Sequence, residues 1–78
     1  MRLEVKYFGM IAEWASTEQE SIEVDGTSVA ALKYALVKRI PRLKDISYQI
    51  ALNQKLVNSE TLVNDADEVA VLPPFAGG

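Results

Sequence analysis

Leu3, Val5 and Tyr7 alternate with Arg2, Glu4 and Lys6 at the head of the chain. Period two with β-branched and aromatic residues predicts a half-buried strand over residues 2–8. Phe8 breaks the alternation by placing an aromatic on the polar face. Gly9 marks a turn, and Ile11, Trp14 and Ala15 at helical spacing predict a short helix over 10–15. Residues 21–24 read as a second strand, with Ile22 and Val24 inward, paired to the first as a hairpin. Asp25-Gly26 signals a turn, after which Thr27 or Ser28 can cap a helix. Val29, Leu32, Leu36 and Ile40 recur at i, i+3, i+7 and i+11, with Ala35 beside them. That stripe predicts an amphipathic helix facing a core. Lys38 and Arg39 in its last turn oppose the negative end of the helix dipole, and Pro41 bars continuation. Residues 42–48 read as an irregular crossing segment, with Leu43 and Ile46 tucked under the core. Strands over 49–53 and 55–57 flank Asn53-Gln54, a polar turn covers residues 64–67, and 68–72 form the last strand.

The order is strand, strand, helix, short strands, final strand. It predicts an α+β fold: a mixed sheet of four to five strands with one long helix packed on one face. The first and last strands, both rich in apolar residues, are expected side by side and parallel in the centre, joined by a right-handed crossover. This is the ubiquitin-like β-grasp arrangement. Leu3, Val5, Ile50 and the helix stripe are the expected core. Residues 1–72 are read as the domain and 73–78 as an extended C-terminal tail.

Composition narrows the chemistry. With 78 residues there is room for one domain. Hydrophobic residues make up 49% and charged residues 24%, and the net charge of −3 is spread without a basic stripe. Nucleic acid is therefore not an expected partner, and a protein with a positive groove is a better match. The sequence holds no cysteine and no histidine, which removes disulfides, thiolate nucleophiles, histidine bases and the usual zinc sites. Asp65, Asp67 and Glu68 read as a polar turn, because they lack the ligand spacing of a cation loop. Lys44 and Lys55 read as solvated side chains. The first residues pass straight into a strand pattern without an apolar leader, and no stretch approaches the ~20 apolar residues of a membrane span. The expectation is a cytoplasmic protein with no membrane association.

The sequence runs out on Gly77-Gly78, directly after Leu72-Pro73-Pro74-Phe75-Ala76. Two glycines make a slim tip with no Cβ to obstruct an enzyme pocket. The reactive group of such a tip is the α-carboxylate of Gly78.

The run 52–57 (Leu-Asn-Gln-Lys-Leu-Val), followed by Asp65-Ala66-Asp67-Glu68-Val69 and by Pro73-Pro74-Phe75-Ala76-Gly77-Gly78, resembles the small, sulfur-carrying subunit of molybdopterin synthase. That family reads V-N-x-x-x-V, then D-x-D-E-V, then P-P-x-x-G-G. Here Leu52 stands where valine is common, a conservative departure. The thiamine-pathway sulfur carrier shares the fold and the glycine pair but usually lacks Pro-Pro and tends to be shorter.

The resemblance implies a division of labour. An E1-like adenylyltransferase, using ATP and Mg²⁺, converts the Gly78 carboxylate to an acyl-adenylate. A sulfur donor displaces AMP and leaves a thiocarboxylate. The tail, with Pro73, Pro74, Phe75, Ala76 and Gly77, then enters the active site of the synthase large subunit, likened to a heterotetramer. There sulfur passes to a cyclic pyranopterin precursor to make the molybdopterin dithiolene. This chain supplies no catalytic side chain, binds no cofactor and holds no metal. Phe75 is read as an anchor in a partner pocket, the alternative being that it folds back onto the sheet edge. Phe8, Ala70 and Leu72 are expected to share the sheet face opposite the helix, either as a docking patch for both partners or as scattered surface residues.

Three other functions stay open at this point. They are a carrier of sulfur for thiazole or another metabolite, a ubiquitin-like modifier joined to lysines through Gly78, and a non-covalent adaptor with an incidental glycine end.

Overall fold

The computed structural model describes residues 1–74. Five strands form one sheet: β1 (Arg2–Tyr7), β2 (Gln19–Glu23), β3 (Gln49–Leu52), β4 (Lys55–Val57) and β5 (Val69–Leu72), in the spatial order β2-β1-β5-β3-β4. β5 is central. It pairs parallel to β1 (Val5↔Val69, Lys6↔Ala70, Tyr7↔Val71) and antiparallel to β3 (Gln49↔Leu72 through Leu52↔Val69). Two helices, α1 (Gly9–Ala15) and α2 (Val29–Arg39), complete a ubiquitin-like β-grasp. α1 is the short helix expected over 10–15, beginning one residue earlier, and α2 is the long one.

The alternation in β1 decides which face packs. Leu3, Val5 and Tyr7 are buried, as are Val69 and Val71 of β5 and Ile50 and Leu52 of β3. They meet Val29, Leu32 and Leu36 of α2, with Ile40 and Leu43 beyond its end, in one continuous cluster. Truncating a side chain at its centre, such as Leu36, costs about 2–5 kcal/mol through lost burial and the cavity left behind.

α2 begins where its sequence signals put it. Ser28 Oγ accepts from the Ala31 N–H at 3.2 Å. The two preceding donors are taken by the 58–63 loop, with Val29 N–H to Thr61 O at 2.9 Å and Ala30 N–H to Ser59 O at 3.0 Å. That long-range cap carries no local sequence signal. Gly26 has φ 136°, and a Cβ there would stand 2.7 Å from that of Ala31, so the turn before α2 requires glycine.

Two local expectations change. The segment after α2 is a short 3-10 helix over Pro41–Asp45 rather than irregular chain. Pro41 ends α2 for want of an N–H, yet its fixed φ suits the first position of a new turn. β1 stops at Tyr7, and Phe8 caps α1 in extended geometry instead of extending the strand.

A polar tie closes one edge. The Tyr7 hydroxyl donates to Glu20 Oε2 at 2.5 Å, and Arg39 meets the same carboxylate through Nε at 3.0 Å and Nη2 at 3.1 Å. Arg39 Nη2 also donates to Ala15 O at 2.9 Å, so one guanidinium joins the ends of α1 and α2 to β2. Burial and the neighbouring Glu20 carboxylate push the Tyr7 hydroxyl far above its ordinary pKa. Among the described residues, no buried side-chain nitrogen or oxygen lacks a partner.

Candidate functional site at the root of the tail

Parallel pairing brings the C-terminal ends of β1 and β5 together. The last paired rung is Tyr7↔Val71, and two residues further along each strand lie Gly9 and Pro73. There the two chains part. Gly9 takes φ 56° and turns into α1, while Pro73, lacking an N–H, cannot extend the ladder. The Pro73 ring fills the space beside Gly9: a Cβ on that glycine would lie 3.1 Å from Pro73 Cγ.

The sheet face turned away from α2 carries a groove of about 630 Å3 that ends at this point. Ala51 and Ala70 are register partners on β3 and β5, and their small side chains leave its floor low. Phe8, Leu56, Leu72 and Pro73 stand around them. Phe8 is 45% exposed and Leu56 61%, a large apolar surface for so small a chain. Lys6 and Glu68 form an ion pair at the rim, Nζ to Oε2 at 3.2 Å. The β1–β2 half of the same face is polar instead. Glu4 accepts there from Gln19 Nε2 at 2.9 Å and from the Ser21 hydroxyl, and these hydrogen bonds, Ser21 foremost, hold its carboxyl below the ordinary range.

The end of β5 remote from the tail is clasped by two turns. Asn53, at φ 52°, donates from Nδ2 to Asp67 Oδ1 at 2.9 Å and accepts at Oδ1 from the Glu68 N–H at 3.0 Å. Its own N–H donates to Glu68 O at 2.9 Å. Asp67 Oδ2 in turn accepts from the Asn64 N–H at 2.9 Å. Both Asp67 oxygens are thereby engaged, and the Asn64 N–H, then the Asn53 amide, hold that carboxyl below its ordinary pKa. The N-x-x-x-V and D-x-D-E-V elements thus interlock to fix the β3–β5 register.

Of the residues singled out from sequence, Phe8, Ala70, Leu72, Pro73 and Pro74 all line the groove. Phe75, Ala76, Gly77 and Gly78 lie outside the described residues. Sequence reading missed Ala51 and Leu56. Period two carried across the β3–β4 pair would have found them, because Ala51↔Leu56 face the side opposite Ile50↔Val57. No group of acidic side chains suited to a metal ion occurs among the described residues. Nor, among them, is any helix long and apolar enough to cross a membrane.

The ThiS family model matches residues 5–78, through the tail. The chain belongs to the ThiS family, with the sulfur carrier subunits of molybdopterin synthase. The molybdopterin synthase sulfur carrier subunit of Mycobacterium tuberculosis is 39% identical, over 100% of this chain and 99% of that protein. Among solved structures, small archaeal modifier protein 1 of Methanosarcina acetivorans superposes with a TM-score of 0.81 at 28% identity, over 99% of this chain and 96% of that one. A Helicobacter pylori chain solved in a complex of subunits 1 and 2 of molybdopterin-converting factor gives 0.67 at 31% identity, over 100% of both chains.

Proposed function

We infer that this protein is the sulfur carrier subunit of a molybdopterin synthase, acting in the cytoplasm through the C-terminal carboxyl of Gly78. The observation that carries this reading is a family match running through residue 78. Full-length identity of 39% to a named sulfur carrier subunit supports it.

A carboxylate with a pKa near 3.3–3.7 is ionised at neutral pH and is a poor electrophile. Activation comes from a partner. In an E1-like adenylyltransferase supplied with ATP and Mg²⁺, a Gly78 oxygen attacks the α-phosphorus and pyrophosphate leaves. Sulfur at the oxidation level of sulfide then adds to the acyl carbon and expels AMP, leaving a thiocarboxylate. In the large subunit the sulfur passes to a cyclic pyranopterin precursor, and water restores the carboxylate. The chain binds no cofactor itself and contributes an acyl group rather than a catalytic side chain.

The geometry described above suits that work. Residues 73–78 span at most ~20 Å at about 3.3 Å each. Pro73 and Pro74 favour an extended stem, and a stiffened stem lowers the ordering cost of about 1–2 kcal/mol per residue on entering a channel. Phe8, Ala70 and Leu72 offer an apolar surface beside that stem for a large subunit, the kind of partner seen with the H. pylori relative. Two carriers and two large subunits make up the proposed assembly. Phe75 then serves as an aromatic anchor in the partner.

A second reading, a ubiquitin-like modifier attached through Gly78, is favoured by the likeness to the archaeal modifier protein. Intact-mass measurement of the protein from its native cell separates the two. Replacement of one C-terminal oxygen by sulfur, with recovery of a synthase large subunit on affinity capture, is expected. Lysine-linked conjugates alone would establish the modifier, and capture of a thiazole synthase would redirect the sulfur to another product.

A further inference from the structure

We propose that Gly9 is a positioning residue for the C-terminal tail: the space it leaves open seats the Pro73 ring and sets the direction in which the chain leaves the sheet. The sulfur-transfer consequence rests on the carrier reading; the geometry does not. β1 and β5 run parallel, so their exits are neighbours, and Gly9 and Pro73 each lie two residues past the last rung, Tyr7↔Val71, where the strands diverge. Two independent features meet there. Gly9 has φ 56°, which turns β1 aside into α1, and its missing Cβ leaves room for Pro73, whose Cγ would otherwise lie at 3.1 Å. A separation of 3.1 Å is tighter than ordinary van der Waals contact, so one group must shift. Val71 is fully buried on the central strand and holds its place. Gly9, though exposed, sits between the buried Tyr7 and Ile11, whereas Pro73 is half-buried, lies past the end of β5 and is followed by exposed Pro74, so Pro73 gives way.

The test must separate the contact from backbone strain. Asparagine tolerates left-handed φ yet carries a Cβ, so Gly9→Asn introduces the contact while keeping the turn. Pro73→Ala removes the ring, and a double-mutant cycle asks whether the two residues act through each other. The sequence holds no cysteine, so a nitroxide on Lys55→Cys labels one site of the full chain. Gly9→Asn is expected to change the paramagnetic relaxation of the Gly77 and Gly78 amides. In the Pro73→Ala background it should change them no further. With thiocarboxylated chain, large subunit and precursor, Gly9→Asn should lower the single-turnover transfer rate by ~10-fold while Kd for the large subunit holds, since misplacement by about 1 Å can cost up to roughly 100-fold. That loss should shrink to within about twofold in the Pro73→Ala background, as coupled residues require. Unchanged relaxation in Gly9→Asn, or an equal effect with and without the proline ring, overturns the proposal. If the unsubstituted chain transfers no sulfur, the carrier reading falls and the relaxation data alone decide the role of Gly9.

Discussion

Asn53 and Asp67 are 14 residues apart in sequence and joined at 2.9 Å, the amide of one donating to the carboxylate of the other. Glu68, which follows Asp67, donates its N–H to the same asparagine. The contact fixes the start of β5, the strand that leads to Pro73 and Pro74.

Replacing Asn53 by alanine removes both side-chain hydrogen bonds and asks alanine to hold φ 52°. At about 0.5–1.5 kcal/mol for each of the two bonds, plus ~1 kcal/mol for the left-handed backbone, the expected loss is about 2–4 kcal/mol. In a domain this size that lowers Tm by roughly 10 °C or more. Asn53→Gly, which relieves only the backbone, should fall less. Equal melting of both variants with the parent would show the clasp to be ornamental.

Stability should fall at both pH extremes, for two identifiable groups. The Asp67 carboxyl is held below its ordinary value of 3.8, so its contribution is complete above that pH and disappears as acid protonates it. Tyr7 is shifted the other way. Its contribution is complete below its ordinary value of 10.0 and is lost as pH rises beyond it. Urea titrations across pH should show Asp67→Asn flattening the acid limb and Tyr7→Phe flattening the alkaline limb. Retention of the full alkaline slope by Tyr7→Phe would assign that slope elsewhere.

Deleting Gly78 is expected to abolish sulfur loading while leaving thermal unfolding as it was, since among the described residues the core cluster ends at Val71. Intact mass and calorimetry on the same sample check both halves. A marked drop in Tm would make the tail a structural element.

Charging the groove should separate docking from folding. Ala70→Asp places a carboxylate on the floor and Phe8→Ser removes a wall. Either should weaken binding to a large subunit by ~10-fold or more, as loss of a central apolar anchor does. Circular dichroism should remain that of the parent. Unaltered affinity in both variants would remove this face from the interface.

Much of this was legible from the chain because its signals are local and mutually consistent. Alternation in β1 and the Val29-Leu32-Leu36 stripe each report a buried face, and both faces close on one core. The tail root was legible from Pro73-Pro74. What escaped depended on partners distant in sequence. Tyr7 reads as one more apolar position until Glu20 and Arg39 are folded against its hydroxyl. Ala51 reads as filler until Ala70 is set beside it to make a depression. Gly9 reads as a simple turn, since nothing near it in sequence announces a proline 64 positions later.

β5 lies in the middle of the sheet, bonded to β1 on one side and β3 on the other. Any tension applied through Pro73 is therefore shared by two ladders sheared along their length, not peeled from an edge one bond at a time. A pull on the chain beyond Pro73 would load a strand paired along both of its edges.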